Sequence, residues 1–148
     1  MAVPQLTERM LKAFGLDDQD EELAARCASL WQKLGLRITH EEERDYVWLP
    51  SQDPDRYRLF RRSGTGEHFR RPEDVPCQES ANAVCAVLKE QLALSPEELA
   101  MAAARKLGYT PWSDAALDCG RRGVEHALFL GRAEETAVGS VVLNPRKK

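Results

Sequence analysis

Between residues 75 and 143 the sequence repeats one instruction three times and then changes it. Ala81, Val84, Cys85, Leu88 and Leu92 fall at i, +3, +4, +7 and +11, which puts them on one helical stripe. Pro76 suits a first turn, and Glu79 is favourable near a helix N-terminus. Ser95-Pro96-Glu97-Glu98 then reads as a capping box with Pro at N1 and Glu at N3. It opens a helix that buries Leu99, Ala103 and Leu107 and stops at Gly108, with Arg105 and Lys106 facing its negative end. A third helix starts at Thr110 or Ser113, shares Leu117, Gly120, Val124, Ala127 and Leu128 on one face, and ends at Gly131. Gly120 and Gly123 either break this helix near Cys119 or let another backbone come close, because each costs about 1 kcal/mol relative to Ala in a helix. The period then changes. Residues 132–136 and 141–143 read as strands around the turn Val138-Gly139-Ser140. Three short helices and a β-hairpin are the layout of a winged helix.

The first half carries weaker signals. Residues 4–14 place Leu6, Met10 and Phe14 on one stripe, closed by Gly15. Asp17, Asp18 and Asp20 are cap candidates for a second helix over residues 21–34, whose stripe is Leu23, Cys27, Leu30, Trp31 and Leu34. Strands are expected over residues 36–39, 46–49 and 57–60, with Pro50 closing the first pair. Residues 63–67 read as flexible and lack the strand-to-helix setting of a phosphate loop. The sequence Leu34-Gly35, hairpin, Pro50 echoes Leu130-Gly131, hairpin, Pro145, which suggests two helix-plus-wing units. The basic tail Arg146-Lys147-Lys148 is expected to be disordered. The fold class that follows is α+β and mostly helical, with an N-terminal half over residues 1–71 and a winged-helix-like half over residues 72–148.

Composition excludes several functions. No apolar run approaches the roughly 18 residues of a membrane span. The first residues lack the basic and apolar regions of a leader, so a cytoplasmic protein without a membrane partner is expected. Cys27, Cys77, Cys85 and Cys119 form no C-x-x-C pair, and His40, His68 and His126 are scattered. Buried thiols are expected, with no metal, disulfide or cofactor. His40 with Glu41-Glu42-Glu43 reads as a solvated turn before it reads as a metal site. Asp53 and Asp55 lack the downstream acid-x-Lys of a nuclease, and Cys119 lacks a histidine partner in the sequence. Nothing here assembles a catalyst.

Charge is segregated instead. The net charge is −3, yet residues 56–71 hold six arginines against one acid, Glu67. Segregated charge steers partners even on an acidic protein. Arg56, Arg58, Arg61, Arg62, Arg70 and Arg71 suit bidentate phosphate contact. The second half adds Arg121, Arg122 and Arg132, with Trp112 as a base-stacking candidate. Asp114 and Asp118 oppose this at the start of the helix that would read a groove. Three readings stand: nucleic-acid contact, a protein-docking surface, or arginines spent on internal ion pairs.

One further signal is a resemblance. Its stretches are Trp48-Leu49-Pro50, Tyr57-Arg58-Leu59-Phe60-Arg61 and Arg70-Arg71-Pro72-Glu73-Asp74-Val75-Pro76, then Glu79-Ser80-Ala81-Asn82-Ala83 and Ala104-Arg105-Lys106-Leu107-Gly108-Tyr109. In that order they resemble the domain of unknown function found at the C-terminal end of large bacterial superfamily-one DNA helicases, often beside a nuclease-like domain. The resemblance implies a non-catalytic, helicase-associated accessory module. Such a module would bind DNA weakly without sequence preference, or dock onto a helicase or nuclease protein. Two departures accompany it. Thr110-Pro111-Trp112 follows Gly108-Tyr109 where family members often carry a basic residue, and no G-x-x-x-x-G-K-[ST] loop of a motor occurs in this chain.

Overall fold

The structure is a computed structural model that describes residues 1–15, 21–42 and 44–147. The expected caps Asp17, Asp18 and Asp20, together with Glu43 and Lys148, lie outside the described residues. The described chain is α+β, with five α-helices and two small antiparallel sheets. It divides into two compact units, residues 1–57 and 58–148. The expected partition at 71/72 differs by one segment, residues 58–71, and hydrogen bonds described below tie that segment to the second unit.

The first unit contains α1 (Val3–Ala13), α2 (Glu21–Lys33), β1 (Arg37–His40) and β2 (Asp45–Trp48). The strands pair antiparallel, with Ile38 opposite Val47. Trp48 Nε1 donates to Thr39 Oγ1 at 2.9 Å across the ladder. Ala2 bridges Tyr46 on the other edge of β2. Leu11, Cys27, Trp31 and Tyr46 are buried. The expected stripes are shorter than their period suggested. Phe14, Leu30 and Leu34 are exposed; Phe14 and Leu34 lie past the ends of α1 at Ala13 and α2 at Lys33, and Leu30 is exposed within α2. The expected third strand does not form. Residues 57–60 carry no regular secondary structure.

The second unit follows the order α3 (Cys77–Gln91), β3 (Ala93–Leu94), α4 (Pro96–Lys106), α5 (Asp114–Phe129), β4 (Ala133–Glu135), β5 (Val141–Leu143). Its sheet has the strand order β3-β5-β4, so the two-residue strand between α3 and α4 joins the terminal hairpin. Sequence reasoning missed β3, which is too short to show a period. Leu92 explains how the chain reaches it. The expected stripe buried this residue, but the helix ends one residue earlier. Leu92 adopts φ +63° and turns the chain into the strand with its side chain 76% exposed.

The core of this unit joins Val84, Leu88, Leu99, Leu107 and Val141, all at or near zero exposure. Helix α5 runs unbroken through both glycines. A Cβ on Gly120 would overlap the carbonyl of Ala100 in α4, and one on Gly123 would overlap Ser80 in α3. The glycines therefore serve close approach. Ser80 Oγ donates to the Cys119 carbonyl at 2.6 Å across the same α3–α5 contact. The basic tail is partly ordered, because Lys147 Nζ donates to the Leu130 carbonyl at the end of α5. The pattern of helix, left-handed glycine and hairpin occurs in both units, at Gly35 (φ +68°) and Gly131 (φ +65°).

Candidate binding surfaces

A buried carboxylate organises the arginine-rich segment. Glu79 lies in the first turn of α3 at 2% exposure. Such a charge is tolerated only when paired and fully hydrogen-bonded. Its Oε1 accepts from Arg61 Nη2 at 2.8 Å and from Arg70 Nη1 at 2.9 Å. Its Oε2 accepts from Arg70 Nη2 and from the Arg61 backbone N–H, both at 3.0 Å. Arg70, 5% exposed, also donates to the Arg61 carbonyl at 2.9 Å. Tyr109 Oη donates to the Arg70 carbonyl at 2.7 Å.

Burial works to raise the Glu79 carboxyl, but the hydrogen bonds and charges of Arg70 and Arg61 outweigh it and hold it below the usual carboxylate value. Burial likewise works to lower Arg70, and Glu79 holds it above the usual arginine value. The Tyr109 hydroxyl is pushed up to about 12, chiefly by burial. Two backbone bonds complete the attachment. Ser63 N–H donates to the Leu107 carbonyl, and Arg70 N–H donates to the Ser63 carbonyl, each at 2.7 Å. Residues 63–67 were expected to be flexible, yet Ser63 is buried against the end of α4. Residues 58–71 therefore form a strap bound to α3 and α4.

The strap accounts for much of the expected nucleic-acid surface. Arg61 and Arg70 are committed to Glu79. Arg71 Nε lies 3.2 Å from Asp74 Oδ2. Arg122 donates to the carbonyls of Val75 and Pro72 at 3.1 and 3.2 Å, and its Nε lies 3.4 Å from Asp118. Arg121 makes a fork on Glu97, with bonds of 2.7 and 3.2 Å, and that pairing raises it. Arg132 donates to Asn82 Oδ1 at 2.6 Å. Arg56 belongs to the first unit, 3.8 Å from Asp53. Arg58 and Arg62 are exposed on the strap, and Arg62 lies beside Gly108. Trp112 stands 79% exposed in the turn before α5. Of the ten expected contacts, Arg61 and Arg70 are neutralised by Glu79 and Arg121 by Glu97. Burial raises the Cys85 thiol, and the positive charges of Arg132, Lys89 and Arg58 work to lower it.

The other candidates resolve locally. Asp53 accepts from the Asp55 N–H and caps a short turn. His40 bonds Asp45 across the hairpin at 2.7 Å. Cys27, Cys85 and Cys119 are buried, as expected, and Cys77 is half-buried. Sequence reasoning placed Glu79 in the first turn of a helix but gave neither Glu79 nor Asn82 a part in a site. The available signal was the run of polar side chains Gln78, Glu79, Ser80 and Asn82 at the start of α3, whose stripe continues apolar.

The exposed face of α5 is acidic. Asp114, Asp118, Arg121 and Glu125 recur along it; Arg121 is paired with Glu97, and Asp118 with Arg122. Phe129 stands 84% exposed at its far end. Phosphate is repelled by such a face, while a basic protein surface is complementary to it. Among the described residues no helix is long and apolar enough to cross a membrane. No protein-family profile, curated protein or solved structure matches the chain.

Proposed function

We propose that this chain is a non-catalytic docking module whose second unit is a winged helix turned to protein recognition. Support for the winged-helix reading lies in the order helix, strand, helix, helix, hairpin, with the single strand paired to the last. The observation that carries the docking reading is the α5 face. Where a DNA-reading winged helix presents cations, this one presents Asp114, Asp118 and Glu125 beside the exposed aromatics Trp112 and Phe129. Aromatic anchors beside charged groups suit a protein partner with a basic, apolar-centred surface. The resemblance to helicase-tail domains makes a cytoplasmic helicase or nuclease protein the partner of choice. Weak DNA binding is the second reading, and the exposed Arg58 and Arg62 favour it.

The test is a photo-crosslinking residue placed at Trp112 or at Asp118 in the source cell, read by mass spectrometry. One protein should crosslink at both positions and be lost in Asp114→Lys/Asp118→Lys and at high salt. Fluorescence anisotropy at low salt should show no duplex binding that depends on α5. Crosslinking to nucleic acid, or a capture insensitive to the charge reversals, would replace this reading with the DNA one.

A further inference from the structure

Residues 59–63 are held by the rest of the second unit one main-chain group at a time. Asn82 Nδ2 of α3 donates to the Leu59 carbonyl at 2.8 Å. Glu79 Oε2 accepts the Arg61 N–H at 3.0 Å, and its Oε1 accepts from Arg61 Nη2 at 2.8 Å. The Leu107 carbonyl, just past α4, accepts the Ser63 N–H at 2.7 Å, and Ser63 Oγ donates to the Gly108 carbonyl at 3.1 Å. Phe60 packs against the core. The groove made by α3 and the end of α4 thus recognises a short peptide with arginine at its third position and a small hydroxyl residue at its fifth.

Two features make this peptide separable from its groove. Glu79 keeps a complete fork without it, because Arg70 supplies Nη1 to Oε1 at 2.9 Å and Nη2 to Oε2 at 3.0 Å. The buried carboxylate therefore stays paired when the half-exposed Arg61 leaves and water takes its place. The second feature is the loop that follows. Residues 64–69 are exposed, and the loop is closed by turn bonds from His68 N–H to the Thr65 carbonyl at 3.1 Å and from Phe69 N–H to the Gly66 carbonyl at 3.0 Å. Exposed turn bonds exchange for water at little net cost. Gly64 and Gly66 sit at φ +74° and +57°, and a Cβ on Gly64 would lie 2.5 Å from the His68 carbonyl oxygen. The tight path back to Arg70 therefore depends on glycine. On its other side the peptide meets the boundary at 57/58, so no element of the second unit lies upstream of it.

We propose that the groove between α3 and the end of α4 is an interaction site for a second copy of this chain, in which residues 59–63 of each copy fill the groove of the other through a hinge at residues 64–68. A second copy is the occupant because it supplies the same carbonyl, N–H, guanidinium and hydroxyl in the same order. Every groove bond is kept, and only the hinge and the entropy of association change. Opened out, the five hinge residues span about 17 Å. The bond from Arg70 N–H to the Ser63 carbonyl, 2.7 Å within one chain, is then remade between copies. A short tether fills the groove of its own chain at an effective concentration on the order of millimolar. Exchange therefore sets in at high protein concentration, or when the hinge cannot close. The proposal does not rest on the docking reading, because it uses no residue of the α5 face.

Sedimentation equilibrium of the full chain after refolding reads the exchange. The parent should be monomeric when refolded at micromolar concentration. Gly64→Val, which excludes the closed loop and leaves an open hinge unstrained, should strengthen dimerisation at least about tenfold. Deletion of Thr65 and Gly66 should do the same by shortening the closed path, which covers a failure of Gly64→Val to fold. Adding Arg61→Glu to either hinge variant should return a monomer. In a mixture of isotope-labelled and unlabelled hinge-variant chains, isotope-filtered NOEs should join the Asn82 side-chain amide of one copy to Leu59 of the other. A folded hinge variant that stays monomeric at millimolar concentration overturns the proposal. So does a dimer that survives Arg61→Glu or lacks the intermolecular contact at Asn82.

Discussion

The side chain on which most of the second unit turns is Glu79. Its carboxylate gathers two guanidiniums and one backbone N–H, so removing its charge strands Arg70 in the interior. Glu79→Gln should lower the unfolding free energy by about 3–5 kcal/mol in urea titration, the range for breaking one side of a buried ion pair. Arg61→Gln should cost much less, because Arg61 is half-exposed and water replaces its contacts. A loss from Glu79→Gln no larger than that from Arg61→Gln would show that the buried fork does not hold the strap. Leu92 offers the opposite sign. Its backbone sits at φ +63°, a region that suits glycine, and its side chain buries little. Leu92→Gly should therefore stabilise the unit by about 1 kcal/mol, since relief of left-handed strain exceeds the added chain entropy. A lower urea midpoint would contradict that balance.

At the scale of elements, the capping box was readable residue by residue. Ser95 Oγ accepts from the Glu98 N–H, and the Glu98 side chain reaches back to the Ser95 N–H at 3.2 Å. Ser95→Ala should cost about 1 kcal/mol in equilibrium denaturation. Helix α5 shows the limit of the same approach. Its two glycines were compatible with a break or with close contact, and one sequence contains nothing about the neighbour that decides. The Ala100 carbonyl decides for Gly120, because a backbone atom cannot move aside as a side chain can. Gly120→Ala should destabilise by about 1–3 kcal/mol despite the better helix propensity of alanine. A stabilised variant in a thermal melt would mean that α4 and α5 do not approach this closely.

For the whole chain, the boundary at 57/58 has a direct consequence. Residues 58–148 contain both the strap and the carboxylate that it covers, so that fragment should melt cooperatively by circular dichroism. A fragment of residues 72–148 lacks Arg61 and Arg70, leaves Glu79 buried without a counter-charge, and should be far less stable or unfolded. Equal melting of the two fragments would restore the 71/72 boundary.

The pH dependence of the second unit has two limbs. Glu79 is depressed in the folded state, so its contribution is complete above the ordinary carboxylate value and is lost as pH falls through the folded value. Tyr109 is raised from 10.0 to about 12, so its contribution is complete below about 10 and is lost as pH rises toward about 12. Stability measured against pH should lose slope on the acid side in Glu79→Gln and on the alkaline side in Tyr109→Phe. Unchanged slopes would remove these groups from the pH response.

The sequence alone determined the helical elements of the second unit, the Ser95 cap and the closing hairpin. Those depend on period, propensity and local hydrogen bonds, all of which lie within a few residues of each other. It also marked the excess of arginine between residues 56 and 71. Which groups those arginines meet was decided by tertiary structure. A guanidinium offers the same fork to a phosphate and to a buried carboxylate, and only the fold brings Glu79 to Arg61 and Arg70 across 18 and 9 residues of chain. The same holds for β3, whose two residues acquire strand character from the partner β5 and not from any pattern of their own.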